Sequence, residues 1–451
     1  MEDVNKVLEE TKKINDEYNY LNTIIEKPIQ RKKEGKLSNY YITFKDAICV
    51  KGVHSRAGSS ILEGYYPLFN ATVVEKCLDE GAILLGKTTQ DTFGFGSFNI
   101  NTNLNIPKHP LDKSRVTGGS SGGSCGFTKK VKFKHISLGE STGGSMANPS
   151  SLCGVFSLTP TYGLVSRYGL MDYANSMDKI GPIANSMKEI AIMLEVISGN
   201  DEKDSTSLNS NKNNICRDYS KQIGVSLKGM RVGILKESFN DSIDEGIKNS
   251  MKKCIDILKS VDVECEEISL PFSLKYGIPT YYIIATSEAS TNLARYCGIR
   301  YGAYLPLEGN FNEYFSKVRS TNFHPEAKRR IILGTFVRMA TQRDAYYLKA
   351  AKIRTKIIEE YKEIFKKYDV ILSPAMPIVA PKFDEVDKLT PLQSYMMDIF
   401  TVSPNLAGVP HLTVPFWESN NLPVGLMFIA DHLKENNLIR IGSYLEGMDK
   451  N

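Results

Sequence analysis

Two periods of apolar residues alternate along this chain. At helical spacing, every three to four residues, stand Val7, Leu8, Ile14, Tyr18, Leu21 and Ile25, which predict one amphipathic helix over residues 2–26. The same spacing predicts helices at 71–80, at 185–198 (Met187, Ile190, Ala191, Leu194, Ile197), at 241–260 (Ile243, Ile247, Met251, Cys254, Ile255, Leu258), at 343–368 and at 438–445. Aspartates in the first turn strengthen the prediction at 241–260, because they complement the positive end of a helix dipole. Between these lie short runs of β-branched, aromatic and aliphatic residues at 40–50 (YYITFKDAICV), 83–85, 231–235, 370–372, 412–415 and 424–429, each read as a strand. Lys45 interrupts the first of them, and a lysine there is ordinarily found at a sheet edge or facing solvent. Residues 31–36 (RKKEGK) and 88–103 read as loops, and 200–214 (NDEKDSTSLNSNKNN) is the most loop-like run, the best place for a boundary if the chain has one. Helix and strand patterns that alternate in this way predict α/β architecture, with the whole chain as a single large domain and no internal repeat.

Composition narrows the class. The chain has 451 residues, 41% hydrophobic and 24% charged, with a net charge of +5, which is ordinary globular balance. Its densest basic run, Lys129, Lys130, Lys132 and Lys134, reads as a solvated surface rather than a nucleic-acid footprint. Eight cysteines (49, 77, 125, 153, 216, 254, 265, 297) form no CxxC pair, which predicts reduced thiols, no metal centre and a cytosol-like compartment. The N-terminal MEDVNKVLEETKKIN has no apolar core of a secretory signal, and no run of about 18 apolar residues suggests a membrane span.

Residues 116–169 break both periods. They hold GGSSGGS at 118–124 and TGGS at 142–145 around a short apolar run. So many small residues bury little apolar area, but they let backbone N–H groups converge on a ligand. The segment lacks the GxxxxGK[ST] of a P-loop and the GxGxxG of a dinucleotide site, although phosphate binding or a plain tight turn stays open on this ground alone. Ser120 and Ser145 are the candidate hydroxyls, and a serine needs a base. The six histidines (54, 109, 135, 324, 411, 432) fall in no triad signature, which turns attention to Lys45. The turn Thr142-Gly143-Gly144 could supply oxyanion donors. Acyl transfer is the chemistry this set suggests.

The segment resembles the amidase signature family, whose pattern runs GGSSGGS, LGSDTGGS, a Cys-Gly pair and KPTYG. Here GGSSGGS stands at 118–124, LGESTGGS at 138–145, Cys153-Gly154 follows, and TPTYG occupies 159–163. Phe44-Lys45-Asp46-Ala47 matches the family's upstream lysine strand. The resemblance implies a central mixed β-sheet covered by helices, a catalytic core over about 40–445, and a helical segment over about 1–30. It also implies Ser145 as nucleophile, Ser120 as a bridging serine beside a cis peptide bond, Lys45 as base, and the N–H groups of Thr142, Gly143 and Gly144 as the oxyanion hole.

Further stretches (165–182, 281–302, 328–336, 344–354 and 405–415) are similar to one branch of the family, the glutaminase (A) subunits of tRNA-dependent amidotransferases. That similarity implies glutamine as substrate, with Arg330 on its α-carboxylate, Asp398 on its α-ammonium and Tyr281 as a third contact. It implies the B and C subunits of the amidotransferase as partners, with ATP and Mg2+ in the B subunit and no cofactor in this chain, tRNA reached only through the complex, and a cytoplasmic location. A stand-alone amidase on another primary amide and a non-catalytic scaffold are the alternatives. The chain departs from the pattern at Ser141 and Ala147, where the family has Asp and Arg, and also at Thr159 and Ala47. Joint loss of that charge pair predicts an uncharged, tightly packed surround to the nucleophile, with Ser141 tolerated.

Overall fold

A computed structural model describes residues 3–209 and 218–448. Among these residues eleven strands form one sheet: β1 (Leu21–Gln30), β2 (Tyr41–Lys45), β3 (Ile83–Thr88), β4 (His135–Ser141), β5 (Phe156–Thr159), β6 (Lys179–Ala184), β7 (Arg231–Leu235), β8 (Glu264–Ile268), β9 (Val370–Pro374), β10 (His411–Ser419) and β11 (Leu422–Ala430). Their order is β1-β3-β2-β4-β6-β5-β10-β11-β9-β7-β8. The sheet is mixed: β2 runs parallel to β3 and β4, and β7 runs parallel to β8 and β9. The remaining pairs are antiparallel. Helices lie against it, so the α/β architecture with a central mixed sheet is as the sequence predicts.

Six interior strands, β2, β3, β4, β6, β9 and β11, are buried along their whole length and so carry no wet face to write an alternation. Lys45 is therefore not at an edge. It closes β2 inside the sheet and is 0% exposed, which corrects the expectation of a solvent-facing side chain. The edges are different. β1 is half exposed, bulged twice and interrupted by Pro28, and β8 (ECEEI) is largely exposed.

The N-terminal expectation needs correction too. The helix spans Val4–Tyr18 only, and Asn19 ends it in the left-handed conformation (φ 63°). The LNTII run that follows pairs with β3 as β1, because its β-branched residues gain a ladder there that an exposed helix would not offer. The described part of that N-terminal segment, residues 3–30, is thus a helix and a strand. The predicted strand at 40–50 shrinks to Tyr41–Lys45, and turns follow it. Helices at Thr72–Asp79, Met187–Ile197, Glu245–Lys259, Lys349–Phe365 and Glu435–Met448 match the periodicity. In the loop-like run at 200–214, residues 210–214 lie outside the described residues, as does Cys216. The chain beyond it returns to the same sheet through β7.

On one face Gly122–Lys130 and Ala147–Cys153 pack against each other and on the sheet. Elsewhere Pro271–Asn292 lies against Pro325–Arg338, close enough that a Cβ on Gly334 would fall 1.8 Å from the Thr286 carbonyl oxygen. Only a residue with no side chain permits that approach.

Candidate active site

Because β2, β3 and β4 are parallel, their carboxyl ends open on one side of the sheet, and three segments of chemistry emerge there together. Lys45 ends β2, the loop holding Asp91 follows β3, and Glu140 through Ser145 ends β4 and turns. The peptide bond Gly119–Ser120 is cis, and the helix Gly122–Lys130 begins two residues later.

The Lys45 nitrogen has three hydrogen-bond partners: Ser120 Oγ at 2.6 Å, the Glu140 carbonyl oxygen at 2.9 Å and Glu140 Oε2 at 2.8 Å. Ser121 donates its backbone N–H to the Ser145 carbonyl at 3.0 Å, which ties the two glycine-serine loops together. The structure thus brings Lys45 and Ser120 into direct contact and holds Ser145 next to them through the backbone. Ser145 is 5% exposed, and its hydroxyl has no hydrogen-bond partner among the described residues. The backbone N–H groups of Thr142, Gly143 and Gly144 likewise donate to no described residue, so they are free for a ligand oxygen. Tyr281 lies directly over this turn, since a Cβ on Gly143 would come within 3.0 Å of its hydroxyl oxygen.

The surround is charged, contrary to the expectation drawn from Ser141 and Ala147. Neighbouring residues of a strand face opposite ways. Ser141 turns to the Gly143 carbonyl (2.7 Å), while Glu140 turns to Lys45. The Thr142 hydroxyl lies 2.9 Å from Glu140 Oε1 and 2.8 Å from Asp178 Oδ1. Asp178 also accepts the N–H groups of Tyr173 and Ala174. Burial, then the charge on Glu140, push the Asp178 carboxyl well above the usual carboxylate range. Asp91, buried and held by the N–H groups of Asn99 and Asn101, is pushed up to about 6 by burial.

A second group of side chains lies on helices. Arg330 is 3% exposed. It donates from Nε to Glu326 at 2.8 Å and from Nη1 to the Tyr173 hydroxyl at 2.6 Å. The rings of Phe95, Tyr173, Tyr282 and Tyr395 surround its guanidinium. It borders a cavity of about 350 Å³ that also touches Ser97, Asn101 and Tyr395. Asp398 is buried and accepts from Ser97 (2.9 Å), Asn148 (2.5 Å) and Tyr282 (3.4 Å). Burial raises its carboxyl, and those donors pull it back. Ser97 belongs both to the cavity wall and to the donors of Asp398, so Asp398 lies one hydrogen bond behind the cavity that Arg330 borders.

Sequence reasoning missed Glu140, Asp178, Asn148, Ser97 and Tyr173. Glu140 did leave a signal, because it stands where the family pattern has the serine of LGSDTGGS. Among the described residues no group of three His, Cys, Asp or Glu side chains could hold a metal ion, and no helix is long and apolar enough to cross a membrane.

A lysine on a serine beside a cis peptide bond, next to a glycine-rich turn, is the constellation of an amide hydrolase. The chain belongs to the amidase family, whose family model matches residues 3–439. Within that family it is 41% identical to the A subunit of the glutamyl-tRNA(Gln) amidotransferase of Thermoanaerobacter pseudethanolicus, over 98% of this chain and 92% of that one. The protein of the same name from Koribacter versatilis is 44% identical over 91% of this chain and 84% of its own. The crystal structure of the A subunit from Thermotoga maritima superposes with a TM-score of 0.82 at 36% identity, covering 96% of this chain and 88% of that one.

Proposed function

We propose that this chain is the glutamine-hydrolysing subunit of a tRNA-dependent amidotransferase, and that it frees ammonia from glutamine through a Ser145 acyl-enzyme. Glutamine enters with its α-carboxylate on Arg330 and its α-ammonium on Asp398, as a guanidinium fork and a carboxylate suit those groups. Tyr281 closes over the side-chain amide. Ser145 Oγ attacks the carboxamide carbon while its proton passes to Ser120 and from Ser120 to Lys45. The negative oxygen that forms is held by the N–H groups of Thr142, Gly143 and Gly144. The carbon–nitrogen bond then breaks, the proton returns through Ser120 to the leaving nitrogen, and ammonia departs. Water attacks the ester by the same route in reverse and frees glutamate.

The observation that carries this reading is the hydrogen bond from Lys45 to Ser120 at 2.6 Å, on a loop bonded to the one that holds Ser145. The grip made by Arg330 and Asp398 favours an amino-acid amide over a simple one. The names of the relatives, A subunits of an amidotransferase, support a multi-subunit complex; in this reading a B subunit receives the ammonia and activates the tRNA-borne glutamate with ATP and Mg2+, a C subunit completes a cytoplasmic heterotrimer, and tRNA is met only through that complex.

The test is glutamate release from glutamine by the complex with co-expressed B and C subunits. Ser145→Ala should reduce kcat by about 10⁴-fold or more while leaving assembly intact. Unchanged turnover would make the chain a scaffold, and preference for benzamide over glutamine would make it a general amidase.

A further inference from the structure

The Lys45 nitrogen has three neighbours within hydrogen-bond distance, and two of them belong to one residue. Glu140 offers its backbone carbonyl oxygen at 2.9 Å and Oε2 at 2.8 Å. A carbonyl can only accept, and so can an ionised carboxylate. A neutral amine has two protons and one lone pair. With both protons committed to Glu140, the lone pair has one direction left, toward Ser120 Oγ at 2.6 Å.

The far oxygen of Glu140 is also committed. Thr142 has a single hydroxyl proton, yet Glu140 Oε1 and Asp178 Oδ1 lie 2.9 Å and 2.8 Å from its oxygen. One proton cannot serve two ionised acceptors, so one carboxyl carries its own. Asp178 is the group that burial and the charge on Glu140 raise. The chain of donors then runs from Asp178 to Thr142 to Glu140 Oε1, and the charge rests on Glu140, opposite Lys45.

Building on the glutaminase reading, we propose that Glu140 is the positioning residue of Lys45. It aims the lysine lone pair at Ser120, and it offsets the positive charge that appears when the proton arrives. In that step the Oγ–H bond of Ser120 breaks and an Nζ–H bond forms, while Ser120 takes the proton that Ser145 releases. An amine beside a carboxylate becomes an ion pair, and the proton's return through Ser120 to the leaving nitrogen restores the amine. The new ammonium thus faces a carboxylate, whereas an unpaired cation in this interior would be costly. Glu140 stands where the family pattern has serine, so this device is a departure from that pattern.

The other titratable groups that face Lys45 are Asp91, from the loop after β3, and Cys125, from the helix Gly122–Lys130. Asp178 acts through Thr142. Burial pushes the Cys125 thiol up to about 12, which keeps it neutral.

The experiment compares Glu140→Gln and Glu140→Ser with the wild-type complex in glutamine hydrolysis across pH 5.5–9.5. Both variants should lose about 10–100-fold in kcat, with KM changed less than about threefold, because Glu140 touches the base and not the substrate. A neighbouring carboxylate favours the ammonium form. Its removal should displace the acid limb of kcat/KM to lower pH. Glu140→Asp should restore the wild-type limb in part. A fall in kcat with the limb unmoved in both variants would mean a structural role and overturn the proposal, as would wild-type kinetics. Glu140→Ser, which matches the family pattern, serves if Glu140→Gln fails to fold. A wild-type complex inert on glutamine overturns the glutaminase reading alone, and the same profile is then recorded on benzamide.

Discussion

Two buried cations lie in this site, and they are held in opposite ways. Lys45 is on a strand inside the sheet, and all three hydrogen-bond directions of its nitrogen are taken by Ser120 and Glu140. Arg330 is on a helix; acceptors are present for Nε and Nη1, while Nη2 has none among the described residues. A nitrogen whose hydrogen-bond directions are all taken can exchange protons only with the groups that surround it. A cation with spare donors on the wall of a cavity can take an anion from outside. On the function proposed above, the contrast separates reaction from grip, and the backing elements suit that division: β2 is locked on both sides by parallel neighbours, whereas Arg330 is steadied by Glu326 on its own helix and by four rings. Tyr173 touches both halves. Its hydroxyl accepts from Arg330 and its backbone N–H donates to Asp178, so the two cations belong to one connected network.

The comparison can be broken by deleting each cation in turn. Lys45→Ala should have the largest effect, a loss of about 10³-fold in kcat for glutamine hydrolysis with KM nearly unchanged. Arg330→Gln should instead raise KM for glutamine by about a hundredfold and leave turnover of a simple primary amide within a few-fold. Steady-state kinetics on glutamine and benzamide separate these outcomes, and equal losses on both substrates would dissolve the distinction.

The smallest effect concerns a third buried basic side chain, outside this pair. Lys179 donates to the Val409 carbonyl at 3.0 Å and is pushed down to about 7 by burial, with Glu435 pulling the other way. Between pH 7 and its ordinary value near 10.5 the unfolded chain binds a proton that the folded chain does not, so stability contributed here rises with pH across that window. Lys179→Met should remove this rise. Thermal unfolding at pH 7.5 and 9.5 should show the wild type gaining on the variant by on the order of 1 °C per pH unit.

Much of the fold was legible because helices such as Glu245–Lys259 and Met187–Ile197 have one wet face, which writes a period into the sequence. Legibility failed where that asymmetry failed. The helix Pro271–Asn292 is apolar on several sides because other helices enclose it, and β8 is a strand of mostly charged residues at an edge. Residues 21–25 fit a helical stripe and a β-branched strand equally well, and only pairing with β3 decided between them. In the site, the motif match brought Lys45 and Ser120 forward as a pair, and they touch. Glu140 is not marked as a partner of Lys45 by the motif comparison, because the lost family charge lies at Ser141, one residue later and on the opposite face of β4. Asp178 and Tyr173 come close to the centre only through the tertiary fold, and no local spacing announces that.

The two outermost strands of the sheet have a consequence for handling the protein. An eleven-stranded sheet with open ends would be a template for further chains, yet β1 interrupts its ladder with Pro28 and two register shifts. β8 presents Glu264, Glu266 and Glu267, so a second copy approaching that end meets like charge. These devices guard against edge-to-edge aggregation, and they make the ends of the sheet the places where a careless surface substitution would turn a well-behaved enzyme into a precipitate.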